Sequence, residues 1–330
     1  MNDPQDCWAI SDGSAGNARQ VRALARAMKI EPRLLDIRIR APWRWLAPRF
    51  VAGARNVMRT TQGNRLPASV PALAIGCGRQ AALLTRVLRE ESQARCFTVQ
   101  ILDPRIDPAH FDIVIAPRHD ALRAANVITT IGALNPIDPD WLVAGRTRFA
   151  NLAALPAPRR AVLIGASNRA QRLDDAYFDA LLARMAAWHG TDGGSFLVTT
   201  SRRTPQRMSD RLRTAFAAFP GAFWAGSANG ENPYAGFIAW ADRIIVTPDS
   251  VNLISEACAT GKPVYTFAPR PVRGKLAAFH AELAASGHLR RIDDASPSAL
   301  PLPLAETAAV AELVRERWRA FVDAQASRAH

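Results

Sequence analysis

The sequence predicts an α/β protein of two Rossmann-like domains, their parallel sheets facing an interdomain cleft. Three observations carry this. Short apolar runs alternate with helical patterns along all 330 residues, the form a parallel sheet takes when helices cover it. Each half opens with strand, small-residue loop and helix. Between the halves, prolines cluster at 136, 139, 156 and 158, a loop-forming stretch. The expected domains are 1–145, 146–304 and a terminal helix over 305–330 that returns to the first domain.

The first half reads as follows. Cys7–Ile10 is a strand and Ser11–Asn17 a small-residue loop. Ala18–Met28 has helical spacing through Val21, Leu24, Ala25 and Met28. Leu34–Ile39 is a second strand. Ala72–Ile75, the Gly76-Cys77-Gly78-Arg79 loop and Gln80–Arg89 repeat the theme, and Phe97–Leu102, Ile113–Ala116 and Val127–Thr130 add strands. After the linker expected at 136–160 the pattern restarts with Ala161–Ile164, a Gly165–Arg169 loop and a helix over Tyr177–His189. Phe196–Thr200 is the next strand. Thr204-Pro205 reads as an N-cap followed by proline at the first helical position, and Asn232-Pro233 gives the same signature before Tyr234–Trp240. A strand over Arg243–Thr247, a helix over about Val251–Thr260 and a strand from Val264 follow. A crossover with Pro297, Pro301 and Pro303 leads to the last helix, Ala305–Ala326.

Composition narrows the function classes. Apolar residues make up 48% of the chain, enough for real cores. Four scattered cysteines show no CxxC pairing, which suggests a reducing compartment. The start, Met-Asn-Asp-Pro-Gln-Asp, has no apolar signal region, and no apolar run approaches the roughly 20 residues of a membrane span. The expected localisation is cytoplasmic, with peripheral attachment to the inner face of the membrane. A net charge of +13 suits phosphorylated ligands or an anionic membrane surface. Nucleic acid is the weakest partner, because no recognition motif accompanies the basic residues. Six scattered histidines without HxH or HExxH spacing predict no metal site.

The chemistry concentrates in Thr247–Tyr265. Asn252 and Glu256 lie four apart and share a helix face, a polar stripe on an otherwise apolar helix. Asp249 or Ser250 can cap the helix, but capping accounts for one polar residue of the four. A carboxylate between buried strands needs a partner, and a ribose diol would supply two hydroxyls to Glu256. A diphosphate needs several converging donors. Those available are the loop with Ser167, Asn168 and Arg169, the loop with Ser201, Arg202 and Arg203, and backbone amides around Ser250. The plainer reading of Arg202 and Arg203 is a solvated turn. Gly261 and Lys262 read as helix punctuation, with the lysine opposing the C-terminal dipole.

In the first half, Ser11–Asn17 followed by Asp36 superficially suggests a dinucleotide fingerprint, but the G-x-G-x-x-G spacing is missing. Asp12 is either a general base for an acceptor hydroxyl or a cap for the helix after it. His119-Asp120, after the Ile113–Ala116 strand, is a further cleft-edge candidate for a catalytic role. Trp43, Arg44 and Trp45, with Phe50 and neighbouring arginines, form an aromatic and basic segment suited to an anionic bilayer or lipid-linked acceptor. The alternative is a loop that folds its tryptophans into its own domain.

Several segments together resemble the bacterial members of the mitochondrial-fission elongated-mitochondria protein family. They are Ser-Asp-Gly-Ser-Ala-Gly-Asn (11–17), Ile-Gly-Cys-Gly-Arg (75–79), Leu-Asp-Pro-Arg (102–105), Thr-Ile-Gly-Ala-Leu-Asn (130–135), Thr-Ser-Arg-Arg-Thr-Pro (200–205), Asn-Pro-Tyr (232–234) and the 247–265 stretch. The resemblance implies a GT-B glycosyltransferase-like fold with a nucleotide-sugar in the second domain. It implies diphosphate binding at Ser250, Val251 and Asn252, ribose binding at Glu256, and no cofactor or bound metal. Two positions depart from the pattern: Asn17 stands where a histidine is expected, and Gly-Ala-Ser-Asn (165–168) stands where Gly-Gly is common. The leading expectation is a glycosyltransferase using a nucleoside-diphosphate sugar on a lipid-linked or membrane-proximal acceptor. The alternatives are a non-enzymatic membrane-peripheral adaptor on the same scaffold and a nucleotide-sugar epimerase.

Overall fold

A computed structural model describes residues 6–294 and 299–328. Met1–Gln5, and Pro297 of the expected crossover, lie outside the described residues. The chain divides into two compact units, Met1–Pro136 with Glu306–His330, and Ile137–Ala305.

The first unit runs β1 (Cys7–Ser11), α1 (Ala15–Ala27), β2 (Arg33–Ile39), the one-turn helices α2 (Trp43–Leu46) and α3 (Ala54–Val57), β3 (Met58–Thr60), β4 (Leu73–Cys77), α4 (Arg79–Glu91), β5 (Phe97–Ile101), β6 (Ile113–Pro117) and β7 (Val127–Thr130). Its sheet has the order β3-β2-β1-β4-β5-β6-β7, parallel throughout except that β3 pairs antiparallel with β2. Both faces are buried, which explains why the strands read as unbroken apolar runs. Side chains alternate across the pleat: Cys7 and Ala9 join one core with Val21 and Leu24 of α1. Trp8 and Ile10 join the other with Leu83 and Leu84 of α4. Helix α1 begins at Ala15, three residues before the expected Ala18. First-turn amides have no partner inside their own helix, so Gly16 and Asn17 fit there without weakening it.

The second unit contains α5 (Pro139–Arg148), β8 (Arg159–Ile164), α6 (Asp175–Asp192), β9 (Ser195–Thr200), α7 (Gln206–Phe216), β10 (Gly221–Trp224), α8 (Tyr234–Trp240), β11 (Arg243–Val246), α9 (Val251–Cys258), β12 (Val264–Thr266), α10 (Gly274–Ala285) and β13 (Arg290–Arg291). Its sheet is parallel, in the order β10-β9-β8-β11-β12-β13. Both sheets therefore reverse direction beside their first strand, as in a doubly wound nucleotide-binding fold. Helix α11 (Glu306–Arg328) belongs to the first unit. Its Val310 and Val314 enter the α1 core, and Glu306 accepts hydrogen bonds from the amides of Ile131 and Gly132 at 2.7 and 2.8 Å.

The stretch expected as a linker is largely helical, and the units divide at residue 136 rather than 145. Asp138 caps α5 by accepting from the Trp141 amide at 2.7 Å, with Pro139 at the first helical position. This proline signalled a helix start, not a break. Helix α5 lies against α8 so closely that a Cβ on Gly145 would stand 2.7 Å from the Ala235 carbonyl oxygen. That contact places residues 137–148 in the second unit. Among the described residues no helix is long and apolar enough to cross a membrane.

Lys262 acts on a different helix from the one expected. Its Nζ donates to the carbonyls of Ile238 and Ala239 at 2.7 Å each, closing the C-terminal end of α8 rather than that of α9. Burial is the main cause that brings its pKa down from 10.5 to about 7. A neutral amine keeps two hydrogens, one for each carbonyl. Between these pH values the unfolded chain binds a proton that the folded one does not, so stability rises with pH across this window. Relative to Lys262→Met, the wild type should gain up to about 1.4 kcal/mol per pH unit above pH 7. Urea unfolding of both proteins along a pH series checks this, and parallel curves would contradict it.

Candidate functional site

In an open α/β sheet, ligands bind beyond the carboxyl ends of the strands where the order reverses. In the second unit that point lies between β8 and β11, bordered by the loops that begin at Gly165 and Thr247. Asp249 ties the two loops together. Its carboxylate accepts from the Ala166 amide at 3.0 Å and the Thr247 hydroxyl at 2.6 Å, while Thr247 Oγ1 accepts from the Gly165 amide at 2.8 Å. A Cβ on Gly165 would lie 2.2 Å from Asp249 Oδ2, so only glycine admits the carboxylate. Asp249 is 5% exposed, and burial raises its pKa against these hydrogen bonds and the charge of Arg203. From behind, His280 Nε2 donates to the Pro248 carbonyl at 3.0 Å, which fixes the proton on that nitrogen; burial lowers the pKa of this histidine.

Ser167 and Asn168 shape the loop. The Ser167 hydroxyl donates to the Leu173 carbonyl and accepts from its amide. Asn168 donates to the Asp249 carbonyl at 2.9 Å and accepts from the amides of Ala170 and Gln171. Ser250 caps α9, its hydroxyl accepting from the Leu253 amide at 3.4 Å. Capping leaves the first amides, those of Val251 and Asn252, without partners in their own helix. These half-buried residues carry the positive end of the helix dipole at the switch point.

One turn above Asn252, Glu256 is 2% exposed and accepts a hydrogen bond from the hydroxyl of Tyr234 at the start of α8. Helical spacing does not mark Tyr234. Its signal was the Asn-Pro-Tyr triplet, in which Asn232 Oδ1 accepts from the Tyr234 amide at 3.0 Å. In the loop after β12, which no sequence motif marks, Arg270 pairs with Asp174 and draws that carboxyl down to about 2.

Beyond β9, the amide of Ser201 donates to the Ile164 carbonyl, and its hydroxyl lies 3.1 Å from that of Thr204. Thr204 does not cap α7: its hydroxyl donates to the Gly165 carbonyl at 2.7 Å, and Pro205 occupies the N-cap position. The threonine thus binds the two loops instead of starting a helix. Arg169, Arg202 and Arg203 are exposed. Arg203 and Ser167 line a pocket of about 300 Å³ with an apolar floor of Leu173, Phe178 and Met208.

In the first unit, Asp12 Oδ1 accepts from the Ser14 amide and from Asn17 Nδ2, each at 3.1 Å. Ser14, not Asp12, holds the N-cap position of α1. Across the switch point of this sheet, a Cβ on Gly78 would come 2.5 Å from Asn17 Nδ2, and Gly78 has φ +86°. Asp36 takes the Ser11 hydroxyl. His119 and Asp120 lie in a single 3-10 turn after β6. The tryptophans separate: Trp43 packs on the core and donates to the Ala52 carbonyl at 3.2 Å, whereas Trp45 is 65% exposed. Arg44 is exposed beside it. No group of three or more metal-ligating side chains occurs among the described residues.

The family model described as mitochondrial fission ELM1 matches residues 15–318. The chain belongs to the mitochondrial fission ELM1 family. It is 32% identical over 286 residues to the Arabidopsis thaliana protein "Mitochondrial fission protein ELM1", a match covering 76% of this chain and 64% of that protein. An uncharacterized protein of Rickettsia prowazekii (strain Madrid E) is 24% identical over 93% of this chain and 97% of its own length. Among solved structures, UDP-N-acetylglucosamine 2-epimerase from Rickettsia bellii aligns with TM-score 0.55, 11% identity and 97% coverage of both chains. The Methanocaldococcus jannaschii UDP-GlcNAc 2-epimerase, in complex with UDP-GlcNAc and UDP, aligns with TM-score 0.52 and 11% identity, covering 94% of this chain and 98% of its own. A glycotransferase of kitacinnamycin aligns with TM-score 0.50 and 14% identity over 97% and 96%. At these identities the likeness concerns the fold, which is that of GT-B glycosyltransferases and epimerases.

Gly165→Ala should destabilise the second unit by about 1–3 kcal/mol, because the new methyl meets a carboxylate that cannot retreat without breaking its bonds to Ala166 and Thr247. Denaturant unfolding measures the loss, and wild-type stability would contradict the tie between the loops.

Proposed function

We propose that ELM1-family membership here denotes a GT-B-type transferase that binds a nucleoside-diphosphate sugar in the second unit and passes the sugar to an acceptor on the first. The observation that carries the reading is Glu256 one turn above the open amides of Val251 and Asn252. That spacing suits a ribose above a diphosphate. A ribose hydroxyl would take the position now held by the Tyr234 hydroxyl. Arg169, Arg202 and Arg203 would supply forked donors to phosphate oxygens, with Ser250 fixing the helix end and Ser167, Asn168 and Ser201 fixing the loops. Arginines and helix amides would neutralise the leaving diphosphate, so the reading needs neither cofactor nor metal. The UDP-GlcNAc and UDP in the similarly folded Methanocaldococcus jannaschii epimerase make uridine nucleotides the first donors to try. The acceptor is lipid-linked or membrane-proximal in this reading, and the protein works in the cytoplasm against the membrane's inner face.

One observation favours a second reading, a membrane-peripheral adaptor without activity. Asp12 Oδ1 is committed to the Ser14 amide and Asn17, and an asparagine cannot take up the acceptor's proton. In the enzymatic reading Asp12 serves as the base through its other oxygen.

Thermal-shift screening of UDP-, GDP- and CMP-sugars, followed by calorimetry, separates the readings. The transferase reading expects binding that Glu256→Gln weakens about ten- to a hundredfold, the worth of hydrogen bonds to a charged group. An absence of nucleotide binding, or full affinity in Glu256→Gln, would sink it. Interconversion of a UDP-sugar with its epimer, without any acceptor, would turn the assignment to an epimerase.

A further inference from the structure

The first unit carries an unusual distribution of charge. From residue 37 to residue 89 there are ten arginines, no lysine and no aspartate or glutamate. Three of the ten are paired with acids outside the segment: Arg55 with Glu91, Arg86 with Glu90 and Arg89 with Asp112. Within this acid-free stretch, residues 40–50 wind through consecutive turns, with the amides of Trp45 and Leu46 bonded to Pro42 and that of Ala47 to Trp43. The inner side of these turns is Trp43 and Ala47, packed on the core. The outer side carries Trp45, Leu46 and Phe50, exposed by 65%, 45% and 46%, between the exposed Arg40, Arg44 and Arg49.

The shape is held from beneath. Arg79 donates to the Arg44 carbonyl at 3.1 Å, Arg86 to those of Pro48 and Arg49 at 3.2 and 3.0 Å, and Trp43 to that of Ala52. The outward side chains take no part in these bonds. Turns held by these carbonyl bonds and by their own amides, with large apolar side chains exposed, present those side chains on an already ordered backbone.

We infer that residues 40–50 form an interfacial wedge for an anionic lipid bilayer, with Trp45, Leu46 and Phe50 entering the headgroup boundary while Arg40, Arg44 and Arg49 bind lipid phosphates. This deepens the membrane-proximal placement proposed above and rests on it for its biological setting. Charge complementarity selects the partner: Arg40, Arg44 and Arg49, on a stretch of chain without acids, suit a continuous sheet of phosphates, and a tryptophan beside arginines suits the bilayer interface. The exposed apolar area, roughly 300 Å² on side-chain areas of about 150–250 Å², is well below the about 800 Å² per partner of a stable protein interface.

Sedimentation with phosphatidylcholine vesicles, with and without phosphatidylglycerol, tests the inference on the full chain. Binding should require phosphatidylglycerol and weaken with salt. Arg44→Gln/Arg49→Gln should lower it by about fivefold for each arginine, and Trp45→Ala/Phe50→Ala should lower it by more than tenfold, with circular dichroism and thermal stability unchanged. Equal binding to neutral vesicles would overturn the inference. So would unaltered binding by Trp45→Ala/Phe50→Ala, or binding to duplex DNA that competes with the vesicles and ignores that substitution. Nucleotide-induced thermal shifts of the same variant report on the second unit alone, so failure of the wedge and failure of the donor reading are read separately.

Discussion

Much of the second unit's site depends on one buried carboxylate. Asp249 accepts from the backbone of one loop and the side chain of the other, and so sets the distance between the strand ends that flank the switch point. Its desolvation is costly unless every lone pair finds a donor, and that cost makes the arrangement specific. Gly165 must lack a side chain, Thr247 must offer a hydroxyl, and Ala166 must point its amide inward. With those conditions met, Ser250 is placed to cap α9 and the amides of Val251 and Asn252 face the open end of the sheet.

The two units solve the same packing problem with different residues. Each has a sheet that reverses beside its first strand, and each brings a glycine within contact of a polar side chain across the reversal. In the second unit the pair is Gly165 and Asp249; in the first it is Gly78 and Asn17. The second arrangement leaves helix amides open at the mouth. In the first, Ser14 makes no side-chain cap to α1, and Asp12 accepts from the Ser14 amide and from Asn17.

The strands were legible in the sequence because both sheet faces are buried, so their apolar runs are unbroken. Short or edge elements such as β3, β10 and β13 have too few residues to show a period. Helix α5 was hidden because Pro139 marks a helix start and a loop equally well, and only Asp138 one residue before it decides between them. At the site, the face shared by Asn252 and Glu256 could be read from spacing alone. The Tyr234–Glu256 bond could not, because it joins residues 22 apart through a tertiary contact. Asp249 looked like a helix cap for a similar reason: its partners, Ala166 and Gly165, lie more than eighty residues earlier.

The turns at residues 40–50 owe their shape to Arg79, Arg86 and Trp43, which hold main-chain carbonyls. Form and surface identity are therefore uncoupled. Positions 44, 45, 46, 49 and 50 can exchange one side chain for another while the chain path stays constant. A different recognition surface can therefore be grafted onto this platform without redesigning the domain beneath.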